Sequence, residues 1–260
     1  MTPLRRARLA TLDAVYGDPG LGASYALEGG LVLREVFGSP RPSYDVDLAH
    51  VRAYPHGACA DARETLLGVI DALRQRLAAV APRRGLTAAT VDVERWSDRL
   101  ATVHAWVRTR AASGEAADVE VQATLCEPAC HPVRARIGGV EVLAQGLEDV
   151  TAAKLQTLLQ QADRGKVRHA DAFDLWYAVS QAPLVVAPEA VRACLLSRLA
   201  LWPSLGAPTP GRFRQRPVVT FAEQGHRTLR AEHPELDVPP FDEAWRTVLA
   251  FVDAMGLPDG

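Results

Sequence analysis

The apolar residues of this chain change their spacing once, near residue 146, and that change limits the folds open to it. Upstream, helical and strand-like stretches are mixed. The alternation in Val103-His-Ala-Trp-Val107 and in Asp118-Val-Glu-Val-Gln122 marks half-buried strands. Downstream, every periodic stretch is helical: 147–162, 168–180, 187–201, 218–231 and 241–255. Strands first and helices afterwards predict an α+β domain over residues 1–146, followed by a helical domain over 147–260. Within the first domain the pattern predicts helices over 3–15, 24–37 and 58–81. It predicts strands over 43–51, 87–94, 101–109, 117–125, 133–137 and 140–144, the last two joined by a Gly138-Gly139 hairpin turn.

Chemistry concentrates in residues 25–48. Gly29-Gly30 opens an apolar helix, a short turn follows, and Asp45-Val-Asp47-Leu48 comes next. Side chains alternate across a strand, so Asp45 and Asp47 share one face while Val46 and Leu48 point into the core. Two carboxylates a few Å apart repel each other unless a cation lies between them. A hard divalent ion fits that place, and such ions commonly meet phosphates there. A glycine pair at a helix start lets a phosphate approach backbone N–H groups, where the helix dipole favours negative charge. Taken alone the pair reads more readily as a tight turn without a ligand; Asp45 and Asp47 downstream reverse that preference.

Further acids and bases extend the pattern. Asp118 and Glu120 share one face of a later strand, and Glu120 completes a triad if that strand pairs beside the one carrying Asp45. Only two of the 29 cationic side chains are lysine, Lys154 and Lys166, so a retained lysine hints at a need for a compact ammonium. Asp171 and Asp174 are three apart, hence neighbours on a helix. Lys154 and Asp171 read either as a phosphate-binding pair or as an interhelical salt bridge. Arg212, Arg214 and Arg216 lie in a Pro/Gly-rich loop and are the best of four arginine clusters for a phosphate contact.

The composition narrows the class. A net charge near −2 argues against coating nucleic acid by bulk charge. The absence of an apolar run of about 20 residues argues against a membrane span, and a cytoplasmic location is expected. Cys126, Cys130 and His131 lack the second ligand pair of a zinc site and read as a turn with buried thiols.

The ordered set of motifs resembles the AbiEii/AbiGii-type toxin nucleotidyltransferases of the DNA polymerase β-like superfamily. The matching pieces are Gly29-Gly30 with Arg34 and Phe37-Gly38, Arg41-Pro-Ser-Tyr-Asp-Val-Asp-Leu48, Glu120, Ala153-Lys154-Leu155, and Arg168 through Asp171-Ala-Phe-Asp174-Leu175. The resemblance implies a mixed sheet with flanking helices, a helical C-terminal half contributing Lys154 and Asp171, and transfer of a nucleoside monophosphate from an NTP. It implies Mg²⁺ on Asp45, Asp47 and Glu120, with a two-ion site compatible. Gly29, Gly30, Arg41, Ser43, Lys154 and Asp174 are then the nucleotide-binding residues. A tRNA or other RNA 3′ end is the implied acceptor, and a cognate antitoxin the implied protein partner. Glu28 and Leu31 depart from the lysine and hydroxyl residue common in the family. An enzyme of the same fold acting on a small molecule or protein hydroxyl, and a non-catalytic nucleotide-binding module, are the alternative classes.

Overall fold

The computed structural model describes residues 1–52, 61–97, 101–127 and 129–259. Cys59 and the first three residues of the helix expected over 58–81 lie outside the described residues. The chain divides into two compact units. One comprises Met1–Val32 and Pro42–Gln145, the other Leu33–Arg41 and Gly146–Gly260.

The first unit is built on a seven-stranded mixed sheet. Its strands are β1 (Tyr25–Glu28), β2 (Val46–His50), β3 (Leu86–Ser97), β4 (Thr102–Ala111), β5 (Ala116–Thr124), β6 (Pro132–Ile137) and β7 (Val140–Gln145), in the order β3-β4-β5-β2-β1-β7-β6. β2 runs parallel to β5 and antiparallel to β1, while β1 runs parallel to β7. One face carries Leu27, Val46, Leu48, Val103, Ala105, Val107, Val119 and Val121, all buried. Helices α1 (Pro3–Tyr16) and α4 (Ala62–Val80) pack against the sheet. Leu66, Ile70, Leu73 and Leu77 recur at helical spacing along α4 and are fully or almost fully buried, each contributing about 1.5–3 kcal/mol of transfer free energy. The hairpin turn predicted at Gly138-Gly139 is present, with φ of 54° and 88°. A Cβ on Gly138 would lie 2.4 Å from the Leu9 side chain of α1, so packing adds to the preference for glycine that the positive φ sets.

The helix expected over 24–37 needs correction. Pro19–Ser24 forms a short helix, α2; Tyr25–Glu28 is strand β1; only Gly29–Glu35 is helical, as α3. β1 lies between β2 and β7 and all four of its residues are buried. A strand buried on both faces shows no alternation, so its apolar residues read as helical.

The second unit is helical: α5 (Leu147–Arg164), α6 (Asp171–Ser180), α7 (Pro188–Ala200), the single-turn α8 (Pro210–Phe213), α9 (Arg216–Glu232) and α10 (Phe241–Ala254). Gly165 caps α5 in the left-handed conformation, its N–H donating to Gln161 O. α6 packs on α5, α9 and α10. Phe173, Tyr177, Leu229 and Val238 form an apolar cluster there, with Trp176 packed against it. Tyr177 donates its hydroxyl to Phe37 O at 2.8 Å, which fixes the Leu33–Arg41 segment to α6. Among the described residues, no helix is long and apolar enough to cross a membrane.

Candidate functional site

The second face of the sheet is polar. Register places Asp47 opposite Glu28 on β1 and opposite Gln122 on β5. Val46 pairs with Val121, so Asp45 and Asp47 stand on the same side as Glu120 and Gln122 one strand away. The condition that Glu120 needed is therefore met: its strand lies beside β2. Asp45 is exposed, Asp47 half-buried, and the Glu120 side chain 31% exposed. These carboxylates share one face, Asp47 on β2, Asp45 just before it and Glu120 on β5.

Gly29 stands at the junction of β1 and α3 with φ +74°, and a Cβ there would lie 2.9 Å from Asp47 Oδ2. The glycine thus leaves room for the carboxylate and supplies a backbone angle that other residues rarely adopt. Ser43 holds the segment before β2 through its carbonyl, which accepts from Arg8 Nη1 at 2.7 Å. Glu28, at the position where the resembling family carries lysine, is buried and accepts from Gln145 Nε2 at 3.0 Å. It adds a further carboxylate opposite Asp47 in place of a cation.

Glu120 has a partner of its own. His104 Nδ1 lies 3.0 Å from Glu120 Oε1, and His104 Nε2 lies 3.0 Å from an Arg95 Nη2. Neither His104 nor Arg95 was singled out from the sequence. The available signal was the alternation of β4, which sets His104 on the same face as Trp106, opposite Glu120.

In the helical unit a second set of charges converges. Lys154 Nζ reaches Asp171 Oδ1 at 2.9 Å and Asp174 Oδ2 at 2.8 Å. Arg41 forks onto Asp174, Nε to Oδ1 at 2.6 Å and Nη2 to Oδ2 at 2.9 Å. Asp171 Oδ2 accepts from Thr157 Oγ1 at 2.9 Å and Gln161 Nε2 at 3.0 Å, with Arg168 Nε at 3.4 Å. Lys154, Thr157 and Gln161 recur three and four residues apart along α5, hence on one face. That spacing was the signal by which Thr157 and Gln161 could have been found.

Burial and pairing oppose each other here. Burial alone would push the Lys154 ammonium pKa down, but Asp171 and Asp174 outweigh it and the net direction is up. Burial would raise Asp171, yet Lys154 and Arg168 hold it below the usual carboxylate range. For Asp174 burial is again outweighed, first by Arg41 and then by Lys154. All three groups are charged across the neutral range. Asp174 has no exposed surface and both its oxygens are taken, so it anchors Arg41 and Lys154. Asp174, expected from sequence to be a nucleotide-binding residue, is placed by the structure against Arg41 and Lys154. The salt-bridge reading of Lys154 and Asp171 describes their observed geometry.

The remaining candidates are less promising. Arg214 forks onto Asp253 at 2.8 and 2.7 Å, and Arg212 Nη1 reaches Ala207 O at 3.4 Å. Cys126 is a buried thiol and Cys130 is half-buried.

A family model described as "Nucleotidyl transferase AbiEii toxin, Type IV TA system" matches residues 11–250. No curated protein matches the chain. Among solved structures the chain is similar to an antigenic nucleotidyltransferase-like protein from Paracoccidioides brasiliensis, at 16% identity and TM-score 0.37. That likeness covers 94% of this chain and 93% of the other.

Proposed function

The chain belongs to the AbiEii nucleotidyltransferase toxins of toxin–antitoxin systems, and we propose that it transfers a nucleoside monophosphate from an NTP to the 3′ end of an RNA, tRNA foremost. One observation supports the site assignment: Asp47 on β2 and Asp45 just before that strand stand at alternate positions of the chain, with Glu120 on the same face of the adjoining strand. The donor set is carboxylate oxygen throughout, which suits Mg²⁺ or Mn²⁺ over softer ions. Bound by Asp45, Asp47 and Glu120, the ion would supply charge neutralisation at an in-line phosphoryl displacement.

The protein's own groups do the rest. Gly29 and Gly30 offer backbone N–H groups at the start of α3 to the triphosphate, and Ser43 offers a hydroxyl. Glu120 accepts the proton of the attacking hydroxyl through its exposed oxygen. Lys154 is assigned to phosphate and Asp171 to its orientation. Thr157 and Gln161 hold Asp171 so that its other oxygen faces Lys154. A cognate antitoxin is the protein partner proposed for the chain.

Incubation with labelled NTPs and total RNA, followed by sequencing of labelled ends, tests this reading. Label on RNA 3′ ends that disappears in Asp45→Asn and Asp47→Asn supports it. Transfer retained in both variants sinks the assignment. Label on an aminoglycoside-like small molecule or a protein, with none on RNA, moves the acceptor to another class.

A further inference from the structure

We propose that His104 is a positioning residue for Glu120, and that Arg95 locks His104 in the tautomer that can do this. The inference rests on the metal-binding reading of Asp45, Asp47 and Glu120, and adds two residues outside that set.

The tautomer follows from donor chemistry. A guanidinium carries only N–H donors and accepts nothing. Arg95 Nη2 lies 3.0 Å from His104 Nε2, so Nε2 must be the accepting nitrogen of a neutral ring. The proton then sits on Nδ1, which faces Glu120 Oε1 at 3.0 Å and donates to it. Were the ring turned to the other tautomer, N–H would face N–H on one side and a lone pair would face a carboxylate on the other. Arg95 thus decides which bond His104 makes.

The backbone has been shaped for this contact. β3 and β4 pair regularly from Ala88 opposite Arg110 to Val93 opposite Ala105, then slip, so that Arg95 lies opposite His104. The bulge at Glu94 brings Arg95 onto the polar face, where strict alternation would have turned it away. Glu94 remains on that face and accepts from Trp106 Nε1 at 2.9 Å. The His104 side chain is 11% exposed, held in the sheet between an exposed arginine and a part-exposed acid. Among the described residues, His104 supplies the single side-chain hydrogen bond to Glu120. Oε1 is thereby fixed and Oε2 is the oxygen left to turn toward ion or acceptor. Ligands held by such outer partners keep their orientation without loss of rotamer entropy at each binding event.

The full-length protein allows two independent readouts. Nitrogen-15 NMR of histidine-labelled protein should show His104 protonated at Nδ1 and unprotonated at Nε2. Calorimetry with Mn²⁺ and a non-hydrolysable NTP should show affinity falling roughly 10–100-fold in His104→Ala, and recovering to within about threefold in His104→Asn. The asparagine amide places an N–H where Nδ1 stands, so recovery separates hydrogen bonding from mere packing. In transfer assays His104→Ala should lower kcat and leave KM for the NTP unchanged. Arg95→Met, at an exposed position that folding tolerates, should mix the tautomers and give an intermediate Mn²⁺ affinity.

An Nε2–H tautomer in the unmodified chain overturns the proposal. So does His104→Asn binding Mn²⁺ as weakly as His104→Ala, or Arg95→Met leaving tautomer and affinity untouched. An unmodified chain that binds no Mn²⁺ overturns the metal reading of Asp45, Asp47 and Glu120, and this inference with it. An unmodified chain that binds Mn²⁺ no better than His104→Ala overturns the inference alone.

Discussion

The sheet and the helices of this protein treat their carboxylates in opposite ways. On the sheet, Asp45 is exposed, Asp47 half-buried and Glu120 about a third exposed, so solvent and ligands can reach them. In the helices, Asp171 and Asp174 are buried and every oxygen is matched to a lysine, arginine, hydroxyl or amide. Accessible acids on a shared face keep oxygens that a cation can reach. Buried acids survive only with their charge already balanced. The sheet leaves its acids within reach of a cation, whereas the helical network holds Lys154 charged between Asp171 and Asp174.

Removing one acid from each region tests the contrast most severely. Asp174→Ala leaves the buried Lys154 and the partly buried Arg41 without that partner and should cost about 3–5 kcal/mol, measured by urea unfolding. Asp47→Asn on the sheet keeps the size and shape of the side chain and should leave unfolding within about 0.5 kcal/mol of the parent. Its effect should fall on transfer instead: losing several kcal/mol of charge stabilisation corresponds to roughly 10²–10³-fold in kcat. A stability loss at Asp47 as large as that at Asp174 would erase the distinction.

Acidity offers a second way to separate the regions. The folded-state pKa values of Asp171 and Asp174 lie below their unfolded values. In acid the unfolded chain therefore binds more protons, and stability falls as pH drops from about 4 through the depressed folded values. The folded pKa of Lys154 is raised, so its contribution is complete below about pH 10.4 and is lost as pH rises through the folded value. Unfolding free energy from this network should be flat between these limits. Asp171→Asn should flatten the acid limb.

What the sequence revealed follows the same division. Asp45, Asp47 and Glu120 were legible because strand alternation assigns faces without knowledge of distant neighbours, and one parallel pairing then brought the faces together. β1 was not legible, since Tyr25–Glu28 is buried throughout and a strand with no polar face has no period-two signature. The partners of Lys154 were half-legible. Asp171 and Asp174 were seen as neighbours, but their pairing with Arg41, 133 residues away from Asp174 in the chain, depends on how Leu33–Arg41 packs in the helical unit. The bulge that presents Arg95 to His104 leaves no composition signal at all.

The junction of β1 and α3 gives a smaller effect that belongs to the sheet. Gly29→Ala forces a side chain into φ +74° and brings its Cβ to 2.9 Å from Asp47 Oδ2. The backbone strain should cost about 1–2 kcal/mol in unfolding. Because the clash falls on Asp47, kcat should drop as well, and Mn²⁺ affinity with it. Strain without any change in metal affinity would detach Gly29 from the acid face.

The smallest effect decides whether the helical network only supports the fold. Thr157→Val removes one of the hydrogen bonds to Asp171 Oδ2 and leaves those of Gln161 and, at 3.4 Å, the Arg168 contact. Valine matches threonine in shape, so the loss should be that of one buried hydrogen bond, about 1–2 kcal/mol in unfolding. If Asp171 serves structure alone, KM for the NTP stays unchanged in this variant. If Asp171 orients Lys154 toward phosphate, as proposed, the loosened carboxylate lets Lys154 shift and KM rises severalfold while Mn²⁺ affinity holds. That combination would assign the helices a binding role distinct from the acid face, because the sheet variants move metal affinity and this one does not.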